Sequence, residues 1–240
     1  KTAEIVKEQG FVKEFPWVQS TIFSDFYADI QVLFRILQIP FTYLDLELGA
    51  KISSIIFTAL LFTVFFWLLK KNKIQYPLFW SLLYLFTSAN LMFRFMLPRQ
   101  MPLVILLLIL TIYFLQKRKY MFLALASLAS VLLHSSFVFQ IFTIILYLIL
   151  EKIFSKKFDC RILLYPLAGT ILGLVINPYF PTNIFMLYTQ IFEVNLISNL
   201  FNVEWKPWTF LEFITNNILV LCYILTTSII LLRNKKITKT

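Results

Sequence analysis

Few residues of this chain are equipped for chemistry, and those few sit between long apolar runs. S-D-F-Y-A-D, residues 24–29, puts Asp25 and Asp29 four residues apart, on one face if the segment is helical. Such carboxylates can take a proton from an acceptor hydroxyl, or hold a divalent cation (Mg or Mn) against phosphate oxygens. An aspartate there can equally cap a helix or pair with Arg35, one to two turns further on. F-R-F-M-L-P-R-Q-M-P, residues 93–102, adds Arg94, Arg99 and Gln100. A guanidinium grips phosphate with two prongs, and in hydrocarbon it costs roughly 2.5–3.5 kcal/mol, so its presence there asks for a partner or a route to the membrane surface. His134, the single histidine, lies in L-L-H-S-S-F, where acid, base and plain hydrogen-bonding roles are all open to it. No Gly-rich phosphate loop, no H-E-x-x-H pair and no metal-binding spacing of the two cysteines, Cys160 and Cys222, accompanies these residues.

The elements that must position them are apolar. Sixty per cent of residues are hydrophobic and 18 per cent aromatic, only four are glycine, and the mean hydropathy is +0.80. That excludes an ordinary soluble domain and points to an all-α polytopic membrane protein. A formal charge of +10 would suit nucleic acid, but the cations fall in short clusters between apolar runs, which reads as topology, and no nucleic-acid partner is expected. The runs predict about seven membrane segments, over 52–69, 78–97, 101–115, 120–133, 137–150, 162–176 and 213–232. Several are nearer 15 residues than 20, so broken or partly embedded helices are expected.

Seven crossings put four basic clusters on one face: Lys70, Lys71 and Lys73; Lys117, Arg118 and Lys119; Lys152, Lys156, Lys157 and Arg161; Arg233, Lys235 and Lys236. Positive charge marks the cytoplasmic side of a bilayer. Residues 1–48, the turns at 98–100 and 134–136, and the loop 177–212 then share the extracytoplasmic face of the cell membrane, together with Asp25, Asp29, Arg94, Arg99, Gln100 and His134. An outer N-terminus also implies at least one helix before Lys1. The chain divides into an extracytoplasmic or interfacial segment, 1–48, and a transmembrane helical domain, 49–240. Within the outer loop, apolar residues at 184, 187, 188 and 191 form a stripe suited to an interfacial helix.

The order of motifs resembles a known group. G-F-V-K-E-F-P-W-V-Q-S-T-I-F-S-D-F-Y-A-D at 10–29, the R-F-M-L-P-R-Q-M-P turn, H-S-S-F and I-N-P-Y-F-P-T-N are similar to the GT-C-type glycosyltransferases, multi-pass proteins that take sugars from polyprenyl-phosphate carriers. The resemblance implies that Asp25 and Asp29 serve as base or metal ligands, with a divalent cation used by some members. It implies that Arg94, Arg99 and His134 meet the donor phosphate, with Gln100 beside them, and that the partners are membrane lipid, a polyprenyl-phosphate sugar and a glycan, lipid or protein acceptor. Two other readings stand beside it: a polysaccharide polymerase or ligase of another multi-pass type, and a lipid or solute transporter without chemistry. Polar residues gathered on one face, without repeated halves, weigh against transport.

Overall fold

The computed structural model describes residues 1–14, 27–155, 159–193 and 209–234, and every regular element in them is helical. Helix α1 is Thr2–Gln9; α2, Val32–Gln38, tightens into a 3-10 turn, Ile39–Tyr43. Then follow α3, Leu46–Lys71; α4, Pro77–Leu85; α5, Ala89–Met96; α6, Met101–Gln116; α7, Tyr120–Leu133; α8, Phe137–Ser155; and α9, Arg161–Ile176. Helix α10, Thr182–Tyr188, runs into a π turn, Thr189–Glu193, and α11 spans Phe210–Asn234.

Helix α3 shows why such sequences fold locally. The Asp45 carboxylate accepts hydrogen bonds from the Glu47 and Leu48 amides at 3.0 and 3.2 Å, Glu47 sits in the first turn, and Lys70 and Lys71 close the last. Both ends therefore complement the helix dipole. Between them the helix is apolar all round: Phe57, Leu61 and Leu68 are buried, while Ile55, Ile56, Leu60 and Trp67 face outward. Helix α8 repeats the pattern, with Phe139, Phe142, Ile153 and Phe154 exposed. Outward apolar surface on this scale is matched by lipid, not by water.

Length separates these two helices from the rest. Among the described residues, α3 and 137–154 of α8 are long and apolar enough to cross a membrane, and the α5–α6 pair is a third span if its two helices, bent by 113°, are taken together. The apolar segments 120–133, 161–176 and 210–226 fall below that length. The continuous crossing expected over 78–97 is instead two helices. Thr87 donates its hydroxyl to the Leu83 and Tyr84 carbonyls at the end of α4, and Ser88 is extended, which breaks the run. Between α5 and α6 the cause is proline: Leu97 is extended ahead of Pro98, and Pro102 occupies the first turn of α6.

Helices α7 and α9 make the most extensive contact in the bundle. G-T-I-L-G, residues 169–173, carries it: a Cβ on Gly169 would lie 2.1 Å from the Ala124 carbonyl oxygen, and one on Gly173 3.0 Å from that of Leu128. Small residues four apart let apolar helices approach backbone to backbone. The apolar G-x-x-x-G spacing was there to be read and the sequence analysis passes over it.

Two ends emerge. At one, Arg118, which follows α6, forms ion pairs with Glu151 of α8 and, at 3.2 Å, with Asp159 ahead of α9. Tyr120 donates to the same Asp159 oxygen at 2.6 Å, and Arg161 binds the other at 3.0 Å. Lys71 joins this end, its ammonium 5.4 Å from the ring centre of Tyr113 near the close of α6. Clusters expected on one side are thus neighbours here, with Lys156, Lys157, Lys235 and Lys236 outside the described residues. At the other end Phe34, Phe95, Leu103 and Leu133 pack in one buried cluster with Phe57 and Leu61. The segment 1–48 is therefore joined to the bundle, through α2.

Candidate functional site

Four members of that second cluster lie beside polar residues of the motifs. Phe34 precedes Arg35, Phe95 follows Arg94, Leu133 precedes His134, and Leu103 lies one turn from Arg99 and Gln100. Side chains from distant stretches are thereby anchored about one apolar plug. Asp25 lies outside the described residues.

Asp29 is 8% exposed and fully engaged: Oδ2 accepts from Arg35 Nε at 3.0 Å, and Oδ1 accepts from the Gln31 backbone amide at 2.8 Å. The internal ion pair expected as the bland alternative is the one that forms. Each Asp29 oxygen thus carries one hydrogen bond, and no group of three or more His, Cys, Asp or Glu side chains suited to a metal occurs among the described residues.

Two tyrosines that the sequence analysis overlooks complete this corner. Tyr27 and Tyr179 meet edge to face at 5.7 Å, and Tyr179 is buried with Ala28, Val32 and Met186. Burial, then the charge of Asp29, pushes the Tyr27 phenol up to about 12, with Arg35 opposing. Tyr179 rises for the same reasons, burial first and Tyr27 and Asp29 after it. Both phenols therefore stay protonated near neutrality and act as hydrogen-bond donors. The signal was present in the motifs themselves, since each tyrosine sits inside one: S-D-F-Y-A-D and N-P-Y-F-P.

The N-P-Y-F-P-T-N segment is chiefly structural. The Asn177 side chain accepts from the Tyr179 amide at 3.0 Å, and Asn183 donates to the Leu174 carbonyl at 2.9 Å, which satisfies backbone left open where α9 ends. Helix α10 turns Asn183 and Met186 inward and Ile184, Phe185 and Tyr188 outward, with exposed Phe192 continuing that face in the π turn. Ile184 and Tyr188 of the stripe expected at 184, 187, 188 and 191 thus face outward, and Phe185 and Phe192 widen that face.

The arginines differ. Arg94 is half-buried on α5, next to Phe95 at 3% exposure, and has no hydrogen bond or ion pair among the described residues. Arg99 is engaged. Gln100 sits at the cap of α6, where its carbonyl accepts from the Leu103 and Val104 amides at 3.0 Å and its side chain makes no cap bond. His134, half-buried in the α7–α8 turn, has Nδ1 3.0 Å from the Ser136 amide nitrogen and 2.6 Å from the Ser136 hydroxyl. Burial lowers its affinity for a proton, so near neutrality it is uncharged. The His134 turn and Met101, next to Gln100, line one apolar cavity of about 210 Å³. The arrangement offers a guanidinium without an acidic partner among the described residues, a neutral imidazole, two protonated phenols and an apolar recess at one end of the bundle. No protein-family model, no curated protein and no solved structure matches this chain.

Proposed function

We propose that this chain belongs to an integral membrane enzyme that transfers a saccharide from a polyprenyl-phosphate-linked donor to an acceptor, at the bundle end carrying Asp29, Arg94 and His134. The observation that carries the reading is Arg94. A half-buried guanidinium with no carboxylate partner among the described residues, set at the edge of an apolar core, calls for an anion from outside the protein. A lipid-borne phosphate supplies that charge where lipid is the surroundings. The basic residues about Lys71, Arg118 and Arg161 make the opposite end the cytoplasmic one under the positive-inside rule, which leaves this site extracytoplasmic in a seven-crossing arrangement completed by the short helices.

In the transfer an acceptor oxygen attacks the anomeric carbon, the bond from that carbon to the phosphate oxygen breaks, and its electron pair leaves with the phosphate. The acceptor proton passes to the departing phosphate, directly or through water, since the released monoester can hold a proton near neutrality. Charge grows on the phosphate as the bond breaks, so Arg94 binds the transition state more tightly than the bound donor. The tyrosine phenols and the histidine offer uncharged donors to the same oxygens or to sugar hydroxyls.

The engagement of Asp29 by Arg35 favours one of the alternative readings over a GT-C mechanism. A carboxylate paired with a guanidinium is a weaker base than a free one, which among the described residues shifts the weight to arginine and histidine, as expected of a multi-pass polysaccharide polymerase or ligase. The test uses full-length protein in proteoliposomes with a radiolabelled undecaprenyl-linked saccharide. Arg94→Ala is expected to lower transfer by on the order of a hundredfold with its melting temperature unchanged. Undiminished transfer would sink the proposal. Asp29→Asn separates the two mechanisms: a GT-C base loses turnover outright, whereas a structural ion pair loses stability first.

A further inference from the structure

The surroundings of His134 decide which of its nitrogens can act. A backbone amide can only donate, so the Ser136 N–H at 3.0 Å makes Nδ1 an acceptor. In a neutral imidazole the proton then sits on Nε2. The Ser136 hydroxyl, 2.6 Å from the same Nδ1, must point its hydrogen there too. The serine thus fixes the tautomer from two directions. His134 is left with one free function, an Nε2–H donor, and Nδ1 has no lone pair to spare for a proton or a phosphoryl group.

The ring borders the cavity between α6, α7 and α8, whose walls include Met101, Ile105, Leu133 and Phe137. Its volume of about 210 Å³ falls short of the roughly 300–1,000 Å³ that encloses a whole small molecule. A segment of hydrocarbon chain fits it better than a sugar does. Gln140, 4% exposed, also lines it, but spends its amide nitrogen on the Thr111 hydroxyl at 2.6 Å, an α6–α8 bond that holds two walls together. The polar edge of the lining is formed by Ser130, His134 and Ser136, with Met101 of the first turn of α6 across from them, so a chain lying in the cavity would bring its headgroup to His134.

We infer that the α6–α7–α8 cavity seats the headgroup-proximal hydrocarbon of a single-chain lipid phosphate, and that His134, locked by Ser136, donates Nε2–H to a phosphate oxygen as a neutral positioning residue. The identity of that lipid as a polyprenyl carrier rests on the function proposed above; the seat itself rests on the cavity and the histidine geometry.

The experiment uses full-length protein in nanodiscs with two photoreactive probes, a diazirine-bearing farnesyl phosphate and a diazirine-bearing lysophosphatidic acid, and maps the labelled peptides. Labelling within 101–108 or 133–140 is expected. Labelling confined to other helices overturns the seat. Capture of farnesyl phosphate in preference to the acyl lipid assigns the seat to a prenyl carrier, and equal capture supports a site for lipid phosphates in general. Ile105→Trp and Leu108→Trp, each checked for unaltered elution, should reduce labelling by about tenfold or more. His134→Ala should reduce it by roughly tenfold, the loss of one hydrogen bond to a charged group, whereas His134→Gln, which keeps an N–H, should stay within about threefold of wild type. The phosphate itself titrates near neutrality, so the pH dependence of labelling should be the same in wild type and His134→Gln. A dependence that disappears with the histidine would show a cationic imidazole and overturn the neutral donor. Transfer measured on the same samples keeps the two proposals apart: labelling in the cavity without transfer retires the enzyme and leaves the seat, and transfer with labelling elsewhere does the reverse.

Discussion

Arg94 at one end of the bundle and Arg118 and Arg161 at the other meet different surroundings. At the end with the basic clusters, Arg118 and Arg161 are surrounded by acceptors: Glu151 and Asp159 take both guanidinium groups, and Tyr120 adds a donor and a ring face. These cations tie the α6–α7 turn to α8 and α9. At the other end Arg35 is tied in the same manner to Asp29, while Arg94, similarly placed beside buried aromatic residues, has no acidic partner among the described residues. The residue type is the same, and the reach of a carboxylate decides whether it builds the fold or stays available to a ligand.

The comparison depends first on α7 and α9, because each helix carries groups at both ends. Gly169→Leu should cost on the order of 3 kcal/mol or more, since a side chain at 2.1 Å from the Ala124 carbonyl oxygen forces the helices apart. Thermal unfolding in detergent would record it, and a variant as stable as the parent would deny the close approach. The contrast between the ends is sharpened by pairing the Arg94→Ala assay with Arg118→Ala. Arg118 is 40% exposed, so its loss should cost only about 1 kcal/mol, discounted for solvent screening, and should leave transfer per folded molecule unchanged. A fall in turnover at constant stability would place Arg118 in the chemistry and erase the distinction.

Smaller effects appear in pH dependence. Hydrogen bonds from Arg161 and Tyr120 hold Asp159 at about 2 against an ordinary 3.8. A depressed carboxyl contributes stability above its unfolded value and loses it as pH falls through the folded one. The gap in melting temperature between wild type and Asp159→Asn should thus be level from pH 7 to pH 5 and close between about 4 and 2. His134 gives the weakest signal. Its lowered affinity for protons means that the folded protein binds fewer of them than the unfolded chain just below the ordinary 6.5. Stability should decline as pH drops below that value, and His134→Gln should remove that part of the slope.

Much of this was legible in residue order. Composition pointed to helices with apolar outer faces, and the basic residues about Lys71, Arg118 and Arg161 do meet at one end, because burial of apolar residues and the placement of charge follow local rules. Pro98 and Pro102 marked the turn at which α5 and α6 part. The break at Thr87 and Ser88 was not legible, because a hydroxyl residue that bonds back to a carbonyl one turn earlier occurs within continuous helices too. Nor was the inward turn of Asn183, which reaches back to the Leu174 carbonyl.

The site divides along the same line. By itself the sequence determined which residue types were present to act, that they fall in turns between apolar runs, and that one face collects the cations, since these follow from chemistry and spacing along the chain. Only the tertiary structure decided that Asp29 is occupied by Arg35, that Arg94 is not occupied by any described residue, that Tyr27 meets Tyr179, and that Ser136 turns His134 into a donor beside a cavity. Pairing, burial and tautomer depend on what lies within about 3 Å in space, and the chain order does not contain those distances.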